Sequence, residues 1–283
     1  MKKTTRKAVV VLMAIFWLAA SGWPLLAGQE AQVPGQEADE RIPKKILGIF
    51  GGMGPEATAN LYQLIVQLTP VQKDQEHIPT LIFSFPQVPD RTTAIQSNDR
   101  SIVAYLTQGV RLLERAGASL IVIPCNTAHY FYDDMQRAVK IPILHMIREA
   151  VNETVRRYPA AKTVGLLATS GTIQTGLYES EFQKKGVAVI TPSAESQNER
   201  VMKAIALIKA GGDKKECRDL LATAGVELEK RGAQVIVLGC TEIPLAFDPA
   251  SVQAPVVNAT RVLAEAAINE YRALTTLGPF LLD

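Results

Sequence analysis

The chain has 283 residues, with 30 Lys plus Arg against 28 Asp plus Glu and a formal net charge of +2. Four of those cations fall in the opening MKKTTRK, which leaves 26 against 28 in the rest, so no clustered basic face for nucleic acid is indicated. Three cysteines are too few for a disulfide scaffold, and no His/Cys/Asp group has metal-ligand spacing, so no metal is expected.

In chain order, the cationic opening runs into AVVVLMAIFWLAA. Gly22 and Pro24 then interrupt the apolar stretch, and Leu25, Leu26 and Ala27 suit processing. The pattern predicts a cleaved signal peptide over residues 1–27, hence a periplasmic or secreted protein with no stable membrane insertion. An uncleaved anchor is the alternative, because Ala8 to Ala27 has about the 20 residues that span a bilayer. Residues 28–45, GQEAQVPGQEADERIPKK, have no hydrophobic period and are predicted to be a flexible tether.

Beyond Ile46, apolar runs of strand length alternate with helical segments. KILGIF precedes the helical ATANLYQLIVQL, TLIFSF precedes IVAYLTQGVRLLERA, and SLIVIPC follows. The second half repeats the rhythm: TVGLLAT, VAVITP, the helical RVMKAIALIKA and CRDLLATAGVELEKR, then QVIVLGC and APVVNAT. Continuous β-branched runs bounded by Gly and Pro fit strands buried on both faces, and their alternation with helices predicts parallel βαβ units.

The two halves also align with each other. AGASLIVIPCNT (116–127) matches RGAQVIVLGCTE (231–242) at an offset of 115, LGIFGGMGP matches VGLLATSGT at 117, and Pro142 and Pro255 lie 113 apart. A nearly constant offset predicts a duplication. The expected fold is therefore α/β, with two pseudo-symmetric parallel-sheet domains and an active site in the cleft between them. Residues 46–150 with a C-terminal return over 255–283 would form the first domain, and 151–254 the second.

The repeat puts Cys125 and Cys240 at the same place, the carboxyl edge of a buried strand, where ligands bind in open α/β sheets. Helix starts after them would lower the thiol pKa values. Two opposed thiols can remove a proton from one face of a carbon and return one to the other, which fits racemisation or epimerisation without a cofactor. A structural disulfide is the competing reading of the pair. Cys217, alone on an amphipathic segment, is expected to be a small buried hydrophobe. His129 is expected to line its helix without catalytic duty.

GGMGPEAT (51–58), PCNTAH (124–129) and GCTEI (239–243) resemble signature blocks of the aspartate/glutamate racemase superfamily, its aspartate racemase branch most closely, over residues 46 to about 265. The resemblance implies two similar α/β domains, Cys125 and Cys240 as the proton-transfer pair, no cofactor, an amino-acid substrate (aspartate first, glutamate or a broader range behind it) and a homodimer. The glycine block and Glu242 after the second Cys-Thr set the chain apart from the glutamate racemase branch.

The substrate-binding candidates are Gly52, Met53, Arg91, Asn126, Thr127, Thr241 and Glu242. The glycines are expected to let backbone approach a ligand. Asn126, Thr127 and Thr241 are expected to cap helix starts and hold substrate together. Arg91, in the PDRT loop, would pair with a side-chain carboxylate. Gln174 stands where several relatives carry a basic residue. Single-thiol enzymes of the superfamily, of the maleate isomerase or decarboxylase type, and a secreted binding protein are the alternative functions.

Overall fold

The structure is a computed structural model that describes residues 43–276. The expected leader and nearly all of the tether lie outside the described residues. Among the described residues, no helix is long and apolar enough to cross a membrane.

All seven apolar runs become strands: β1 (Leu47–Gly51), β2 (Thr80–Ser84), β3 (Leu120–Val122), β4 (Thr163–Ala168), β5 (Ala188–Ile190), β6 (Val235–Gly239) and β7 (Val256–Asn258). They form two sheets, in the orders β2-β1-β3 and β5-β4-β6-β7, and every pairing is parallel. β1 and β6 are buried along their whole length, as strands covered by helices on both faces must be.

The duplication is visible in the hydrogen bonds. Ile143 makes a parallel bridge to Ile121 beside β3, where β7 pairs with β6 in the other half. The Ile121 amide donates to the Pro142 carbonyl at 2.9 Å, and the Ile236 amide donates to the Pro255 carbonyl at 2.9 Å. Both sheets therefore share one order, with the fourth strand of the first reduced to a bridge.

Three apolar cores hold the layers together. One joins Phe50, Val110 and Ile121 on the outer side of the first sheet, and another joins Leu221, Leu228 and Ile236 on the outer side of the second. The third is common to both halves and brings Leu47, Leu61 and Val122 together with Val164, Tyr178 and Val237. Of the expected return, β7 completes the second sheet, while the helix Ala259–Thr276 packs on the first half's helices Pro55–Leu68 and Met146–Arg157. A shared core of this kind places residues 43–276 in one compact unit.

His145 caps the helix Met146–Arg157 by accepting the Arg148 amide at 3.3 Å, which requires a neutral ring nitrogen. Burial first, then the neighbouring His129 and Arg148, lower its pKa from 6.5 to about 3. With the folded value below the unfolded one, the unfolded chain binds more protons in that window, so stability falls as pH drops below about 6.5. His145→Asn keeps an acceptor at the cap and removes the titration. Its Tm should fall less than that of the wild type between about pH 7 and pH 4.5, by about 2–4 °C, the size of about 1 kcal/mol in a chain of this length.

Candidate active site

The carboxyl ends of β3 and β6 deliver the two cysteines to one place. Cys125 follows β3 by three residues and Cys240 follows β6 directly, and both line a narrow cavity of about 10 Å³ between the halves. They are buried free thiols. Met53, Arg91, Asn126, Thr127, Thr241 and Glu242 line the same cavity. Gly52 does not: it borders a wider outer cleft of about 560 Å³, which shares Met53, Asp90, Arg91, Lys209 and Glu242 with the inner cavity. A groove of about 630 Å³ between the helices Met146–Arg157 and Ala259–Thr276 contains none of the expected residues.

Cys240 is held by its neighbour. Its Sγ donates to Glu242 Oε2 at 3.1 Å, which also accepts from the Thr241 hydroxyl at 3.3 Å, while Glu242 Oε1 accepts the Gly54 amide at 3.0 Å. Burial, followed by the Glu242 charge, pushes the Cys240 thiol well above its ordinary pKa. The expected lowering by a helix start is thus overturned at Cys240, where only the short turn Ile243–Leu245 follows. A three-residue turn has too little aligned dipole to offset desolvation and an adjacent carboxylate.

The small polar residues are not caps. Asn126 makes no capping bond, and its Oδ1 accepts the Tyr178 hydroxyl at 2.7 Å. That bond fixes the amide so that Nδ2, buried, is left without a partner. The Thr127 hydroxyl meets those of Thr169 and Thr172, each at 2.9 Å, and these two bond each other at 3.0 Å. Thr241 donates to the Pro124 carbonyl at 3.3 Å. All of these bonds except the Thr169–Thr172 contact cross between the halves.

Arg91 is neither in a loop nor at the surface. It opens the helix Arg91–Gln96, is only 8% exposed, and donates to the carbonyls of Val88 and Pro89 at 3.1 and 3.0 Å and of Met53 at 3.3 Å. Asp90 caps that helix, because an acceptor side chain before the first turn satisfies its free amides. Gly52 has φ 92°, and an added Cβ would stand 2.2 Å from the Phe85 nitrogen, so neighbouring backbone requires the glycine. His129 is structural: Nδ1 bonds the Cys125 carbonyl at 2.9 Å and Nε2 accepts the Met146 amide at 3.1 Å. Cys217 lies buried with its Sγ against the Ala204 carbonyl.

Four cavity residues escaped the sequence reading. Asp90 and Thr92 lay inside the PDRT stretch without a role, Thr169 resembles an ordinary cap, and Lys209 looks like a basic residue at a helix end. Gln174 is exposed and outside the cavity, whereas Lys209 of the same half lines it. Tyr178, behind Asn126, is fully buried and was not singled out. Among the described residues there is no cluster of His, Cys, Asp or Glu able to hold a metal.

A family model described as Asp/Glu/Hydantoin racemase matches residues 50–267. The chain is 28% identical to the broad specificity amino-acid racemase RacX of Bacillus subtilis (strain 168), over 81% of this chain and 99% of that protein. Its fold matches that of an aspartate racemase from Picrophilus torridus with a TM-score of 0.72 at 29% identity, covering 81% of this chain and 94% of the other. An aspartate racemase homologue from Pyrococcus horikoshii OT3 matches with a TM-score of 0.65 at 26% identity, covering 81% and 99%.

Proposed function

This chain belongs to the Asp/Glu/hydantoin racemase family, and we propose that it is a PLP-independent amino-acid racemase in which Cys125 and Cys240 exchange the α-proton, with aspartate as leading substrate. One observation carries the mechanism: the thiols related by the duplication line a single cavity, one from each half.

In one direction the Cys125 thiolate takes the α-proton while Cys240, kept as a thiol by burial and by Glu242, delivers its own proton to the opposite face. The C–H bond broken on one side is replaced by one on the other, and the protonation states of the two sulfurs are exchanged. In the reverse direction Cys240 must first be a thiolate, and Glu242 Oε2, 3.1 Å away, is placed to accept its proton. The unpartnered Nδ2 of Asn126 is a donor for the substrate carboxylate, where a hydrogen bond would stabilise the charge that develops as the α-proton leaves. Arg91 and Lys209 supply positive charge for a side-chain carboxylate.

The test is proton NMR of the reduced protein in D2O with a panel of L-amino acids and no added cofactor. Loss of the α-proton signal with formation of the D-isomer is expected for aspartate first. Absence of exchange across the panel would replace this reading with the single-thiol isomerase or decarboxylase class, or with a binding protein.

A further inference from the structure

The charged residues that line the inner cavity are two cations, Arg91 and Lys209, and two anions, Asp90 and Glu242. Glu242 is fully engaged: both of its oxygens accept hydrogen bonds within the site. Asp90 is different. Its Oδ1 accepts the Thr93 amide at 2.9 Å and the Thr93 hydroxyl at 3.1 Å, which hold the carboxylate in place, while Oδ2 takes no hydrogen bond from a described residue. It stands where the inner cavity meets the outer cleft, and it lines both.

The two cations it faces come from different halves. Arg91 is buried and its guanidinium is tied to backbone carbonyls, whereas Lys209 is exposed, with no hydrogen bond or ion pair to a described residue. Lys209 lies within electrostatic reach of both Asp90 and Cys240. Burial raises the Asp90 pKa, but the bonds from Thr93 and the charges of Arg91 and Lys209 outweigh it, so the group stays below the ordinary carboxylate value and is charged at neutral pH.

We propose that Asp90 sets the side-chain charge preference of the site: its fixed carboxylate offsets Arg91 and Lys209, weakens their hold on a dicarboxylic substrate, and admits uncharged side chains. Without it, the cavity lining would carry a net positive charge and favour a second carboxylate. A residue that only capped its helix would need no carboxylate, because Asn and Ser cap equally well. The inference rests on the racemase reading for the word substrate, but its electrostatic content concerns any dicarboxylate in the cavity.

The experiment compares wild type with Asp90→Asn and Asp90→Ser, both of which keep the cap. Turnover is read as the ratio of kcat/KM for L-aspartate to that for L-alanine, and equilibrium binding as the ratio of affinities for succinate and butyrate, which do not react. Both ratios should rise by about tenfold in the variants at low salt, the order expected for removing one partly screened charge several ångströms from a carboxylate. Added salt should narrow the difference, and the melting temperature should stay put. Unchanged ratios, or ratios that fall, would overturn the role of Asp90. Absence of turnover with a rise in the binding ratio would remove the racemase reading and keep the electrostatic one.

Discussion

Cys125→Ala and Cys240→Ala should each lower racemisation by about 10³-fold or more, since each removes one of the two proposed proton carriers and a single positioned acid or base contributes about 10²–10⁴-fold. The loss should be equal in both directions when expressed as kcat/KM. Enantiomers have the same free energy, so no variant can favour one direction over the other in that ratio. The serine variants should be equally inactive despite their closer shape, because an alcohol ionises far less readily than a thiol. Folding should survive: each sulfur is buried, but removing one atom from a small side chain costs about 1 kcal/mol. Melting curves with rates of D-isomer formation from L-aspartate check both parts. If either alanine variant retained more than about a tenth of the wild-type rate, one thiol would be dispensable and the single-thiol class would fit better.

Glu242→Gln should have the second-largest effect, a fall of about 10²-fold in kcat/KM near neutral pH. Glutamine can still accept the Gly54 amide with one oxygen, so the link between β6 and the glycine block is kept. It cannot take the Cys240 proton, the role proposed for Oε2, and that proton must then leave to solvent. The pH dependence gives the sign. Burial and then the Glu242 charge raise the Cys240 pKa, so the variant loses the second contribution and its thiol ionises at a lower pH than in the wild type. Activity of Glu242→Gln should therefore climb steeply with pH and recover part of the deficit in the alkaline range. A kcat/KM profile measured from about pH 6 to pH 10 decides it. A variant within about twofold of wild type throughout would leave Glu242 with a structural role only.

Several site residues were legible before folding for reasons that differ. Cys125 and Cys240 stood out because the duplication repeated them at one offset, a signal that burial alone does not create. Asn126, Thr127, Thr241 and Glu242 were found by adjacency to the thiols, but the helix-cap part expected of the first three was wrong. They bond across the interface instead, and nothing local in the chain encodes that choice. Arg91 was expected in a loop after the second strand. Asp90 then capped a short helix and brought the guanidinium inward.

What the sequence determined by itself was the alternation of strands and helices, the parallel pairing and the duplication. These follow from local composition, because a strand covered on both faces must be apolar throughout and a helix on its surface must be apolar on one side. Tertiary structure alone decided which groups share the cavity and in what protonation state. Gly54 and Glu242 lie 188 residues apart, and Asn126 and Tyr178 lie 52 apart, so their meeting depends on how two halves pack around a common core. Lys209 and Asp90 carried no signal in the sequence, and only that packing brought both to one cavity. The thiol state of Cys240 has the same origin, since desolvation and the nearness of a carboxylate are properties of the assembled site.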